Sequence, residues 1–191
     1  MPVQISIKRV GGKVEFQTVS VSLSDTVFWT NEDTTEPHWP DQKFSRSQIG
    51  PAPSPNSDSW PVAVLVAPYK ITYGCALHSN ETGVINVYAD FAPTNKTLKD
   101  ATAGQAYAQQ SLTVGGVGPF TWSVAPAVAL GGGLIYGVPP GLVIGQAPNP
   151  NPTSVVISGT PTTAGSYQFS LQAADSLGNN FQQINYTIKV V

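Results

Sequence analysis

No stretch of a dozen residues in this chain keeps a helical period, whereas several short segments alternate apolar and polar side chains with a period of two. That period puts every second residue on one face of a strand. Val3, Ile5 and Ile7 alternate with Gln4, Ser6 and Lys8, and Tyr167, Phe169 and Leu171 alternate with Gln168, Ser170 and Gln172. Ile184, Tyr186 and Ile188 repeat the pattern near the carboxyl terminus, and turn residues such as Gly11-Gly12, Ser24-Asp25 and 175–179 separate the segments. With 18 Gly and 17 Pro, the chain is rich in residues that break helices and mark turns. The expected fold class is all-β.

A length of 191 residues is generous for one small sandwich and suits two domains of about 90–100 residues each. In the first half, strands are expected over 3–10, 14–23, 26–31, 62–66, 69–75 and 84–88. Long loops are expected over 32–60, where Pro, Ser and Asp accumulate. Residues 90–99 have little periodicity. The domains are therefore expected at 1–91 and 98–191, with a linker over 92–97. Strands in the second half are expected over 120–124, 155–158, 167–173 and 184–190, and Gly131-Gly132-Gly133 reads as a loop.

Charge narrows the function. Only 10% of residues are charged, the net charge is -2, and nine Lys and Arg are scattered along the chain. No basic run could neutralise a row of phosphates, which argues against nucleic-acid binding. The longest apolar run, 62–67, is too short to span a bilayer. Met1-Pro2 leads straight into a strand pattern, leaving an intracellular protein or an exported one whose leader is absent; the low charge favours an extracytoplasmic location. Cys75 is the one cysteine, so no intramolecular disulfide forms, and it reads as a buried thiol or a metal ligand.

Tyr69, Ile71, Tyr73 and Cys75 share one strand face, with Lys70, Thr72 and Gly74 on the other. His78 follows Cys75 by three residues, and the chain's other histidine, His38, lies in the loop after the 26–31 strand. Two imidazoles and a thiolate suit copper. These segments resemble the cupredoxin family. Residues 25–33 with Pro37-His38 are similar to its strand, W-x-N-x-D and first histidine. Residues 73–87 are similar to its closing Y-x-C-x-x-H-x-x-M-x-G-x-I-x-V signature, nearest the short-loop amicyanin type within the plastocyanin group. The resemblance implies a Greek-key β-sandwich with one copper ion on His38, Cys75 and His78, serving electron transfer or copper handling, with a possible redox partner protein. Two positions depart from the family. Glu81 stands where the axial methionine is expected, and Trp39 follows the first histidine where Asn is common. Glu81 either coordinates as a hard fourth donor or turns to solvent, leaving a site assisted by the Pro37 carbonyl. Zinc held by the cysteine, both histidines and the glutamate is the alternative metal. The bland alternative is a core thiol with two surface histidines.

In the second half, Gly118-Pro119-Phe120-Thr121-Trp122-Ser123-Val124, Pro139-Pro140-Gly141-Leu142 and residues 156–169 resemble bacterial putative-Ig repeats. The resemblance implies an immunoglobulin-like or cadherin-like sandwich, a spacer or adhesive module in larger exported proteins, with no chemistry of its own. Asp175 reads as a turn cap rather than a calcium ligand. Trp122 reads as core, although with Tyr136 it could suggest sugar binding. The chain is expected to be an electron carrier or binding module rather than an enzyme, with no catalytic residues. The competing function is a structural or adhesive protein with a degenerate cupredoxin scaffold.

Overall fold

The computed structural model describes residues 2–41, 48–51, 57–61, 67–126, 133–147 and 154–191. The strand expected over 62–66, the glycines at 131 and 132, and Met1 lie outside the described residues. Among the described residues all regular structure is β, so the all-β expectation holds. The chain divides into two compact units, Met1–Ala89 and Asp90–Val191.

The first unit contains β1 (Pro2–Val10), β2 (Lys13–Phe16), β3 (Val19–Ser22), β4 (Thr26–Asn31), β5 (Ser57–Pro61), β6 (Tyr69–Gly74) and β7 (Thr82–Tyr88). One sheet has the order β2-β1-β4-β5 and the other β3-β7-β6. The pairs β1–β4 and β3–β7 are parallel; the rest are antiparallel. Residues 14–23 do not form the single strand expected. The buried apolar positions are Phe16 before the break and Val19 and Val21 after it, so the alternation slips by one residue at Gln17-Thr18. One continuous strand could not bury both sets on one face. The chain instead leaves one sheet after Phe16 and enters the other at Val19. The loop expected over 32–60 also contains β5, whose Ser- and Pro-rich sequence masks a strand that pairs with β4.

Ile5, Ile7, Phe16, Val27 and Trp29 from one sheet meet Val21, Ile71, Tyr73, Ile85 and Val87 from the other in one core. Trp29 Nε1–H donates to the Tyr73 hydroxyl at 2.9 Å, which satisfies the two polar atoms that a core of large aromatics must otherwise strand. Burial pushes the Tyr73 phenol up to about 12, outweighing the opposing hydrogen bond from Trp29. Tyr73 pairs in register with Gly83. A Cβ at Gly83 would sit 2.4 Å from the tyrosine ring, so only glycine allows the ring to lie across β7.

The second unit contains β8 (Ala92–Pro93), β9 (Tyr107–Ser111), β10 (Thr113–Val114), β11 (Thr121–Pro126), β12 (Ile135–Tyr136), β13 (Leu142–Gln146), β14 (Val155–Gly159), β15 (Gly165–Ala174) and β16 (Asn180–Val190). β15 is central, pairing with β16 on one edge and with β11 and β12 on the other. A second sheet has the order β13-β14-β9, and β10 pairs with β8. Tyr167, Phe169, Leu171, Tyr186 and Ile188 are all buried, the face that their alternation marks, and pack with Leu142, Val155 and Ile157 of the other sheet. Trp122 is partly buried against this core, and Tyr136 is half-buried. Gly141 has φ +88°, and a Cβ there would meet the Thr160 carbonyl oxygen at 2.0 Å, so the Pro-Pro-Gly-Leu and Gly-Thr-Pro segments touch only through glycine. Residues 92–97, read as a linker from sequence, are hydrogen-bonded within this unit. Thr94 N–H donates to the Leu112 carbonyl at 2.9 Å, and Thr97 bridges Thr187. No helix among the described residues is long and apolar enough to cross a membrane.

Two outcomes are expected. Gly83→Ala should lower stability by about 1–3 kcal/mol, the usual range for overpacking, read as a lower urea midpoint with an unchanged slope. Division of the chain between Ala89 and Asp90 should leave two pieces that each unfold cooperatively, checked by near-ultraviolet circular dichroism and denaturant titration of each; a natively unfolded piece would refute their independence.

Candidate metal centre

Cys75 directly follows β6, where Ile71, Tyr73 and Cys75 are buried while Lys70 and Thr72 are exposed. Tyr69, at the strand's start, is exposed rather than sharing the buried side. After Cys75 the chain makes two successive turns of the same kind. His78 N–H donates to the Cys75 carbonyl at 3.3 Å, and Glu81 N–H donates to the His78 carbonyl at 3.2 Å. Bonds of this i to i+3 type bring side chains three apart onto one side. The spacing of Cys75, His78 and Glu81 therefore gathers three donor side chains, and Cys75 N–H closes the loop by donating to the Glu81 carbonyl at 3.0 Å.

His38 reaches the same place from a distant loop. It exchanges two backbone hydrogen bonds with Ile49, at 3.0 and 2.8 Å. Pro40 bridges Cys75, and Ala76 N–H donates to the Trp39 carbonyl at 2.7 Å, so residues 38–41 lie beside Cys75 as a short strand would. The result is a four-residue cluster of His38, Cys75, His78 and Glu81 whose nearest donor atoms all lie within 4.8 Å of one another. His38 is fully buried, Cys75 and Glu81 are buried, and His78 is about a third exposed. Glu81 Oε2 lies 2.9 Å from His38 Nδ1 and 3.2 Å from His78 Nδ1, and Cys75 Sγ lies 3.5 Å from His78 Nδ1. Of the two orientations open to Glu81, the inward one is present. The backbone N–H of Trp39 donates to Cys75 Sγ at 3.3 Å, a bond independent of the side chain at position 39. A soft thiolate, two imidazoles and a carboxylate at this spacing fit a single copper or zinc ion.

Sequence reasoning placed Asp33 inside a motif without giving it a role. In the structure Asp33 Oδ2 is 3.1 Å from His38 Nε2. Burial would raise the Asp33 carboxyl, but hydrogen bonds from Arg9, from the Thr35 side chain and backbone, and from His38 hold it well below the usual carboxylate range. An ionised Asp33 can only accept, so the Nε2–H tautomer of His38 faces it and Nδ1 is directed at the cluster. This is the carboxylate–histidine arrangement that orients metal-binding imidazoles. The aspartate's neighbours in sequence, Asn31 and Thr35, signal a side-chain-bonded turn, but not its contact with His38.

Asp175, in the second unit, is a turn cap. Its Oδ1 accepts from the backbone N–H groups of Leu177 and Asn179 at 3.0 and 2.9 Å, and its Oδ2 from Val117 N–H at 3.2 Å and Asn179 Nδ2 at 3.1 Å. Among the described residues, no other group of three or more His, Cys, Asp or Glu side chains is arranged to hold a metal.

Residues 86–191, more than half of the chain, match the family described as Putative Ig domain, and the chain belongs to that family. The match begins inside β7, so its first residues belong to the first unit. A comparison with curated proteins finds no match. Solved structures with partial likeness include an I-band fragment of titin (9% identity, TM-score 0.43, covering 91% of this chain and 62% of that one). Others are the sialic acid binding region of a Streptococcus sanguinis adhesin (11%, 0.33, 92% and 76%) and Fet3p, a multicopper oxidase that functions in iron import (10%, 0.31, 100% and 52%). This chain thus spans less than two thirds of the titin fragment.

Asp33→Asn should keep the shape of the side chain while losing its charge. Metal affinity is expected to fall by about 10–100-fold, the usual effect of removing such a partner, measured by competition with a chromogenic chelator.

Proposed function

We propose that this member of the Putative Ig domain family carries, in residues 1–91, a cupredoxin-like module that binds one copper ion for electron transfer or copper handling. The observation that carries this reading is the convergence of His38 and the Cys75-x-x-His78-x-x-Glu81 loop, with donor atoms within 4.8 Å of one another. The ligands would be His38 Nδ1, His78 Nδ1 and Cys75 Sγ, with Glu81 Oε2 as the fourth donor. A bound copper ion supplies one-electron redox chemistry. The protein's own part is to hold the ligands still. Asp33 fixes the ring of His38, the Trp39 N–H steadies the Cys75 sulfur, and the paired turns fix His78 and Glu81 relative to Cys75. Glu81 is a hard anionic donor in place of a soft thioether, which favours copper(II) over copper(I). The site should accordingly have a lowered reduction potential, a more tetragonal geometry and a colour shifted from intense blue.

Zinc is the second reading, because Cys, two His and Glu match a closed four-donor set. The Ig-like unit supplies a support or adhesive spacer, and the whole fits an extracytoplasmic protein, a part of a larger exported assembly with a redox partner. No catalytic role is assigned.

Copper(II) should bind at one ion per chain with a visible thiolate charge-transfer band, which Cys75→Ser and His38→Ala each abolish. Retention of the band in Cys75→Ser would falsify the ligand assignment. Preference for zinc over copper, with no such band, would favour the second reading. Glu81→Met should raise the potential and deepen the blue. Unchanged spectrum and potential in both Glu81→Met and Glu81→Gln would remove Glu81 from the coordination sphere.

A further inference from the structure

Arg9 lies on β1, touches none of the four cluster residues, and yet stands behind both imidazoles. Its Nε and Nη2 donate to the two oxygens of Asp33, at 3.3 and 2.7 Å. The same Nη2 lies 3.0 Å from Glu36 Oε2. Nη1 donates to the Gly12 carbonyl at 3.4 Å, which anchors the guanidinium to the β1–β2 turn. Each of the two carboxylates backs one histidine. Asp33 Oδ2 is 3.1 Å from His38 Nε2, and Glu36 Oε2 approaches His78 Nε2 at 3.7 Å, a longer polar contact beyond hydrogen-bond length. Both rings turn Nδ1 towards the cluster.

We propose that Arg9 is a positioning residue for the metal centre, its one guanidinium setting the orientation of His38 through Asp33 and of His78 through Glu36. Two carboxylates that share one Nη2 repel each other once the cation is gone. Glu36, half-exposed, would then turn to water, and Asp33, held by Thr35 at Oδ1, would no longer have Oδ2 fixed against His38. Lysine cannot replace the fork, because a point charge holds one carboxylate oxygen at a time without fixing its plane. The inference rests on the reading of the cluster as a metal site, but not on the metal being copper.

The test uses the full chain and zinc(II), which is redox-silent, with affinity read by chelator competition. Arg9→Met should weaken zinc binding by about tenfold or more, within the range for lost outer-shell partners, and Arg9→Lys should fall between it and the parent. Glu36→Gln changes a half-exposed side chain and should give a smaller loss in a folded protein. Arg9→Met combined with Asp33→Asn should cost less than the sum of the two single losses, since the effect of Arg9 on His38 runs through Asp33. The second readout needs no metal. The Nε2–H proton of His38, followed by NMR, should exchange slowly in the parent and rapidly in Arg9→Met. Parental zinc affinity in folded Arg9→Met and Arg9→Lys, or additive losses with Asp33→Asn, would overturn the proposal. If the parent binds neither zinc nor copper, the metal-centre reading fails, and the imidazole proton then decides alone. Its continued protection in Arg9→Met, or in Arg9→Lys should the former not fold, overturns the role of Arg9; its loss supports that role.

Discussion

The site depends on the carboxamide of Asn31. At the end of β4, almost fully buried, its Nδ2 shares its two hydrogens among the carbonyls of Glu36, Ile49 and Gly50 at 2.9, 3.1 and 2.8 Å, while its Oδ1 accepts from Asp33 N–H at 2.9 Å. One side chain thus gathers both ends of the connection between 32 and 50 onto the sheet. Closing a segment of this length costs chain entropy that grows only slowly with its size, and a few well-made internal bonds can hold it. Aspartate in this place would face three carbonyls with no donor, and serine is too short to reach them. Because Asp33 begins the loop that Asn31 ties down, and His38 pairs with Ile49, the aspartate and the imidazole are set by the same anchor.

His38 is a polar ring with no exposure inside a largely apolar unit, and such burial is costly unless both nitrogens are partnered. Nε2–H donates to Asp33 on one side, while on the other Nδ1 faces Glu81 Oε2, two acceptors at 2.9 Å that need a proton or a bound cation between them, and Phe16 meets the ring edge-on at a centroid distance of 6.1 Å. Among the described residues no buried side-chain nitrogen or oxygen lacks a hydrogen-bond partner. A polar network of this kind is rigid only when complete, since one missing member leaves a buried group unpaired. The stability of the first unit and the geometry of its cluster are therefore one problem. The arrangement of Arg9, Asp33, His38 and Glu81 stands or falls together.

What could be read from the sequence was what repeats locally. The alternation through Tyr167, Phe169 and Leu171 marks the buried face of β15, and the three-residue steps from Cys75 to His78 to Glu81 match the two turns that gather them. The phase slip between Phe16 and Val19 was equally present in the sequence, but two short strands in different sheets look like one long one until the burial of each is known. β5 stayed hidden because its strand character comes from pairing with β4, which tertiary context supplies and propensity does not. The partnership of Arg9 with Asp33 spans 24 residues and no local pattern encodes it, whereas the meeting of His38 with Glu81 across 43 residues was expected only through the family resemblance. Residues 92–97 lack periodicity because they bond to the second unit residue by residue rather than as a strand of useful length.

Charge sets what the cluster can hold. As metal ligands, Cys75 would be a thiolate and Glu81 a carboxylate, two negative charges, and the two imidazoles would be neutral. Arg9 beside them is already shared between Asp33 and Glu36 and offsets neither. A divalent ion leaves this set neutral, whereas a monovalent ion leaves one uncompensated negative charge where Glu81 and Cys75 are both buried, and an unpaired buried charge is strongly disfavoured. The same reasoning covers copper(II) and zinc(II), so the donor set selects the charge of the ion more sharply than its identity. On the copper reading it also makes reduction the unfavourable direction. The module then holds its metal oxidised and gives up an electron readily once reduced, which suits a low-potential donor or a carrier of copper(II) better than a high-potential acceptor.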